Sequence, residues 1–309
     1  MIGKPVNKEE MEDRIITYGG QAVIEGVLMR GQKALAIAMR APDGEIVVHI
    51  EKLSGLYQSA VAKIPFVRGV ILLSDALALG MRALTRSANL QTGEDEKIEG
   101  PMLYLTIAFS LAFGIALFFL APYGIGKLVD WLAALLGWGA GGNVWVIAFA
   151  EGIARLFIAV GYIWAIGKMP DIQRVFQYHG AEHKTINAFE AGAELTPESV
   201  AKFPLEHPRC GTSFLLTLLI LSIFAFSLLH PLAWAWQILG RILLIPILAG
   251  VAVEYIRWTA NHLDSPFVRA LVKPNFALQG LTTREPDWGM LEVAIRSFEE
   301  MRKAEGSQQ

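Results

Sequence analysis

The hydrophobic pattern changes character three times along the chain. From residue 15 to residue 53, short apolar runs are broken by glycine and turn residues, which predicts strands. Ala34-Leu35-Ala36-Ile37-Ala38-Met39-Arg40 and Glu45-Ile46-Val47-Val48-His49-Ile50 flank Ala41-Pro42-Asp43-Gly44. In such a turn proline presets one torsion, aspartate bonds nearby backbone and glycine accepts positive φ. The prediction is a small β-meander. The glycines bracketing the stretch 19–31 add a bulge or a close approach of backbone. From 66 to 86 the pattern turns helical, and Arg68, Asp75 and Arg82 recur every seven residues as one narrow polar stripe. Such a helix lies at a membrane interface, re-enters the bilayer, or packs on a membrane bundle. An acidic linker follows at 91–100.

Beyond this point the apolar runs are too long and too uniform for an amphipathic helix. Residues 102–121 hold no charge, and 144–166 are interrupted only by Glu151 and Arg155. Residues 212–229 are closed by His230-Pro231, and 241–258 contain Pro246 with Glu254 near the end. Each run is close to the length that a bilayer core demands. Composition agrees: the 309 residues are 53% hydrophobic and 18% charged, against about 25% charged in soluble proteins. The mean hydropathy is +0.41.

The expected fold is therefore an α-helical integral membrane protein with about four transmembrane helices, a small N-terminal β-meander and cytosolic helical segments. Its expected parts are a mobile N-terminus (1–14), a β-rich cytosolic segment (15–53) and an interfacial helix with the acidic linker (54–100). A four-helix membrane domain (101–260) carries a cytosolic loop (168–211), and a cytosolic tail (261–309) ends in a helix.

Charge refines the picture. The segment 168–211 holds Lys168, Arg174, Lys184, Lys202 and Arg209, whereas 122–143 holds one Lys and one Asp. The positive-inside bias then places both termini and this segment in the cytoplasm, with the protein multi-pass in the cell membrane and the lipid bilayer as its partner. A net charge of −2 and a pI near 6.3 carry no nucleic-acid signature. The single cysteine, Cys210, excludes an internal disulfide framework. The polar first 20 residues predict no cleavable signal peptide.

The chemistry concentrates in Tyr178-His179-Gly180-Ala181-Glu182-His183-Lys184. On a helix, His179 and His183 share a face and reach one ion, and neutral imidazole suits zinc. This His-x-x-Glu-His order is the inverzincin arrangement. Glu182 is then a general base for bound water, an outer acceptor that fixes an imidazole tautomer, or itself a ligand. A divalent ion, with zinc first among metals, needs further ligands. The candidates are Glu254 first, at the cytosolic end of its span, then His207, with Cys210 spaced three residues beyond it. Cys210 also reads as a small core residue at a helix start. Glu151 and Arg155, four residues apart inside a span, are either functional or a buried structural pair. Thr282, Thr283, Arg284 and Glu285 read as the cap of a final helix at 287–303. The chain has no P-loop, no Gly-x-Gly-x-x-Gly after a strand and no Gly-x-Ser-x-Gly, so nucleotide binding and a serine nucleophile find no support.

Four segments together resemble one family. They are Tyr-Gly-Gly-Gln-Ala-Val-Ile-Glu-Gly-Val-Leu-Met-Arg-Gly (18–31), Phe-Gln-Tyr-His-Gly-Ala-Glu-His-Lys (176–184), His-Pro-Arg-Cys-Gly-Thr-Ser-Phe (207–214) and Leu-Thr-Thr-Arg-Glu-Pro (281–286). They are similar to the YqhQ-like bacterial membrane proteins, over about residues 18–294, with Leu28 standing where that pattern suggests Met. The resemblance implies a membrane protein sometimes labelled a metal-dependent enzyme, and it implies no reaction.

The functional expectation is a membrane-embedded, zinc-type hydrolase at the cytosolic interface. His179, His183 and a third ligand hold the metal, Glu182 activates water and Arg209 stabilises developing negative charge. A membrane peptide or a lipid-linked amide or ester is the substrate class. The competing expectation is a non-catalytic transporter or assembly factor whose metal site is structural.

Overall fold

The computed structural model describes residues 18–53, 64–92, 100–137, 144–229 and 232–306. The expected mobile N-terminus (1–14), most of the acidic linker and His230-Pro231 lie outside these residues.

The N-terminal meander is a four-stranded antiparallel sheet in sequence order: β1 (Gly19–Val23), β2 (Gly26–Arg30), β3 (Ala34–Arg40) and β4 (Ile46–Lys52). The β3–β4 turn is the one expected, with the Asp43 carboxylate accepting from the Glu45 amide at 3.0 Å. Side chains alternate between the two faces of a strand, and here both faces are covered. Val27, Met29, Ala36 and Ala38 point into a core shared with Tyr178, Ile186, Met290 and Phe298. Leu28, Leu35, Ile37 and Met39 point the other way, against Leu79 and Ala83. Burial on both sides explains why β3 is apolar at nearly every position. The β1–β2 turn carries no glycine: Glu25 sits at φ 52°. Its carboxylate accepts from Arg174 at 2.5 and 2.6 Å and from the Tyr178 hydroxyl at 3.3 Å.

Helix α1 (Val67–Thr92) starts and ends later than its sequence pattern suggested. Its middle packs on the sheet, and its start packs on the bundle. Within its polar stripe Arg68 Nε donates to Glu254 at 2.6 Å, while Arg82 pairs with Glu51 of the sheet.

The next helix is longer than one span. Helix α2 (Gly100–Ile115), a π-helical turn (Ala116–Leu120) and α3 (Ala121–Leu135) run on continuously, so most of the loop expected at 122–143 is helical. Pro122 is the cause of the π turn. It has no N–H for the carbonyl four residues back, and an α-helix must widen or bend at such a position. The carbonyl it leaves, Phe118 O, accepts from Arg155 Nε at 3.1 Å. No residue of α2 is buried by the rest of the described protein.

Helix α4 (Val144–Ile166) packs on α3 and on α7 (Gly211–Ser227), and α7 packs on α8 (Trp234–Asn261). By length and composition three described helices can cross a membrane: Gly100–Leu135, Val144–Ile166 and Ala235–Asn261. The remaining expected span, 212–229, corresponds to α7, which is apolar but only 17 residues long. Between the apolar helices, Glu151 is contacted by two arginines, Arg155 at 2.7 Å and Arg241 at 2.8 Å. The pair expected from the sequence is thus a three-member cluster.

Helix α5 (Pro170–Glu190) and the short α6 (Pro197–Val200) follow α4. The C-terminal tail is two helices, α9 (Pro266–Thr282) and α10 (Trp288–Ala304). Helix α10 lies on the sheet and α5, burying Met290, Leu291, Ala294 and Phe298.

Candidate metal centre

Helix α5 supplies the first residues of the site. It begins at Pro170, whose fixed φ and missing N–H suit a first helical position. Beyond it the 3.6-residue period brings His179, Glu182 and His183 to one face, where their imidazole centroids are 4.4 Å apart. Cys210 comes from the loop before α7 as that helix's N-cap. Three ligand atoms, one each from His179, His183 and Cys210, lie within 4.8 Å of one another. The His179 Nε2 to Cys210 Sγ distance is 3.2 Å. A tetrahedral zinc ion with bonds of about 2.0–2.3 Å sets its ligands about 3.5 Å apart, so the cluster is of the right size.

The backbone fixes which nitrogens face the centre. His179 Nδ1 lies 2.9 Å from Thr282 O, and His183 Nδ1 lies 2.5 Å from Leu205 O. Each carbonyl is an acceptor, so each Nδ1 carries a hydrogen, and His179 turns its Nε2 to Cys210. Metal-ligating histidines are oriented in this way. His183 Nε2 and Glu182 Oε2 are buried and have no hydrogen-bond partner among the described residues. Buried polar atoms are almost always paired. Two unpaired ones beside a thiol and a second imidazole are groups that a cation could satisfy.

The electrostatics point the same way. Burial alone pushes the Cys210 thiol up, but the facing His179 and His183 imidazoles override it and hold it well below the usual thiol range. Burial opposes charging of His179, yet Cys210 and then Glu182 raise it to about 9. The mutual attraction of His179 and Cys210 favours their charged forms, and a divalent ion would compete with the proton they share. Burial raises the Glu182 carboxyl against the pull of the neighbouring imidazoles. Burial, then the charge of His183, pushes His207 down to about 4.

The other sequence candidates are placed as follows. Glu254 is not in the cluster; Arg68 and the Phe66 amide hold its carboxylate on α8. That corrects its ranking as the leading third ligand. A carboxylate at the end of an apolar helix satisfies its charge on the nearest guanidinium, and α1 brings one. His207 lies beside the cluster, its ring centroid 5.5 Å from that of His183. Arg209 does not face the cluster as a free cation: Glu190 engages its guanidinium, which also lies 3.4 Å from His207 Nε2. Burial lowers Arg209 to about 10.

Several site-forming residues carry no sequence signal. Gln279, fully buried on α9, clamps the His207 backbone, accepting from its amide at 3.0 Å and donating to its carbonyl at 2.8 Å. Lys184 donates to Ala201 O and Phe203 O at 2.8 Å each and pairs with Glu285 at 2.6 Å. The residues 282–285, read as a helix cap, are instead a wall of the site; the cap of α10 is Asp287, accepting from the Met290 amide at 2.8 Å. Two glycines allow this packing. A Cβ at Gly20 would lie 2.9 Å from the Glu182 side chain, which is the close approach expected around β1. A Cβ at Gly180 would run into the Arg284 carbonyl. Gly180→Ala is therefore expected to cost about 1–3 kcal/mol or more, since the obstacle is backbone. A lowered unfolding midpoint of the detergent-solubilised protein checks this; an unchanged midpoint would refute the close packing.

Comparison with known proteins adds relatives without a reaction. The chain is 36% identical over 304 residues to "Uncharacterized protein YqhQ" of Bacillus subtilis (strain 168), covering 93% of each sequence. No solved structure matches. A family described as "Protein of unknown function (DUF1385)" matches residues 64–304. That span holds His179, Glu182, His183, His207 and Cys210, and it is most of the chain: the protein belongs to the DUF1385 family.

Proposed function

We propose that the protein is a membrane-embedded, metal-dependent hydrolase acting at the cytosolic membrane interface, with a zinc-type ion held by His179, His183 and Cys210. The observation that carries this reading is the grouping of those three ligand atoms beside Glu182, whose Oε2 is buried and has no partner among the described residues. Three protein ligands with a position left open is the arrangement of catalytic rather than structural zinc sites. When bound, the ion would supply Lewis-acid chemistry, polarising a carbonyl and easing the ionisation of water. The residues supply the rest. Thr282 O and Leu205 O orient the two imidazoles, and Gly20 leaves room for the Glu182 carboxylate. Burial raises the proton affinity of Glu182, as suits a general base. Arg209, held by Glu190 next to His207, positions that histidine rather than meeting substrate directly.

The membrane setting rests on the three long apolar helices. We extend it to four crossings, with α7 as the short one, since 17 residues is at the lower limit for a bilayer core. Both termini and the segment 168–211 face the cytoplasm by the charge bias of their loops. Membrane peptides and lipid-linked amides or esters are the substrates within reach of a site so placed.

One observation favours a second reading. His207 is buried next to His183, and as a fourth ligand it would close the site and make the metal structural. Glu182→Gln separates the two. For the hydrolase it retains the metal and lowers turnover of fluorogenic lipid amides and esters by about 10²–10⁴-fold. Full turnover in that variant sinks the general-base role. X-ray absorption showing four protein ligands, including a third imidazole, would establish the structural site instead.

A further inference from the structure

A second site lies on the opposite face of the sheet from Glu182. There a cavity of about 520 Å³ opens between the sheet, α1 and the start of α2. Leu28, Leu35 and Ile37 line it from the sheet, Leu79 from α1, and Leu103 and Ile107 from α2. The polar part of its wall is Arg82, Arg86 and Asn89, with Glu51 opposite. Arg82 and Arg86 are one helical turn apart and so present two guanidiniums to one rim. Arg82 reaches Glu51 at 3.2 Å, but its side chain remains 61% exposed, and an exposed pair of that kind holds weakly.

We propose that this cavity holds the glycerophosphate end of one anionic phospholipid, with Arg82 and Arg86 on the phosphate and the acyl chains running along α2. Three observations select this occupant. The volume is that of a small-molecule site. Among the described residues, two arginines against one glutamate leave a positive rim, and guanidinium matches phosphate oxygens in pairs. The cavity is also continuous with α2, an apolar helix with no residue buried by protein, so the apolar cover that α2 needs and the chains of the ligand are one material. Basic pockets beside membrane helices recognise acidic headgroups on the same grounds. The site is separate from the proposed metal centre, and neither reading depends on the other.

The test is native mass spectrometry of the full-length protein in detergent, with phosphatidylglycerol or phosphatidylcholine added. One phosphatidylglycerol is expected to be retained about tenfold more tightly than phosphatidylcholine. The double variant Arg82→Gln/Arg86→Gln is expected to erase that difference. Ile107→Trp fills the cavity from α2 without touching either arginine, and it is expected to weaken retention of both lipids. Circular dichroism of both variants verifies the fold. Equal retention of the two lipids by the wild type, or unchanged selectivity in the arginine variant, overturns the proposal. So does displacement of phosphatidylglycerol by millimolar inorganic phosphate, which would assign the rim to a free anion.

Discussion

Replacing His179 and His183 together by alanine is expected to take bound zinc from about one ion per chain to none. Each imidazole donates one nitrogen, and what remains is a lone thiolate that cannot hold a divalent ion in a buried site. Cys210→Ser is expected to lower zinc affinity sharply, because a neutral hydroxyl replaces the only anionic ligand of the cluster. Elemental analysis of the purified wild type and variants checks both. No metal in folded wild type after incubation with zinc would refute the centre. The loss should also appear as stability. The cluster ties α5 to the loop before α7, and through the Thr282 carbonyl to the end of α9. A ligand that binds only the folded state adds about 2.7 kcal/mol at a hundred times its dissociation constant. A chelator should therefore lower the unfolding midpoint of the wild type and leave that of the double-alanine variant unchanged.

Glu151→Gln is expected to be the most damaging single change among the apolar helices. Glu151 and Arg155 have side chains only 4% and 5% exposed, and Arg241 meets the same carboxylate. Neutralising the glutamate leaves the Arg155 and Arg241 guanidiniums sharing one site without the anion that joined them. Removing one partner of a buried charge pair costs about 3–5 kcal/mol. Arg241→Met is expected to be milder, since it leaves a neutral Glu151–Arg155 pair and Arg155 still caps the Phe118 carbonyl. Thermal unfolding of both variants in the same detergent gives the comparison. Equal destabilisation by the two would show that the charge balance of the cluster does not matter.

Much of this was legible in the amino acids. The apolar runs located helices α4, α7 and α8 to within a few residues, except that α8 begins earlier than 241. The turn chemistry at Pro42-Asp43-Gly44 located the β3–β4 hairpin. The i,i+4 histidines located two members of the His179–His183–Cys210 cluster, because a helical period fixes which side chains share a face. Other features were not legible. Pro122 signals a break, yet here it sits inside a continuous helix whose spare carbonyl is satisfied by Arg155 from another element. The β1–β2 turn forms at Glu25 rather than at a glycine, and its partner Arg174 is 149 residues away. The carbonyls that orient the imidazoles belong to Leu205 and Thr282, and a backbone carbonyl has no residue-type signature.

By itself the sequence determined the local and the periodic: strands where apolar residues alternate around turns, apolar helices, and His179, Glu182 and His183 on one helical face. Only the tertiary structure decided the partners. Glu254 and Cys210 were both plausible ligands by composition and position. Packing brought Cys210 to the imidazoles, while Arg68 on α1 took Glu254. A charge or a lone pair is satisfied by whichever group lies nearest in space, and nearness between elements far apart in the chain is set by how their faces pack.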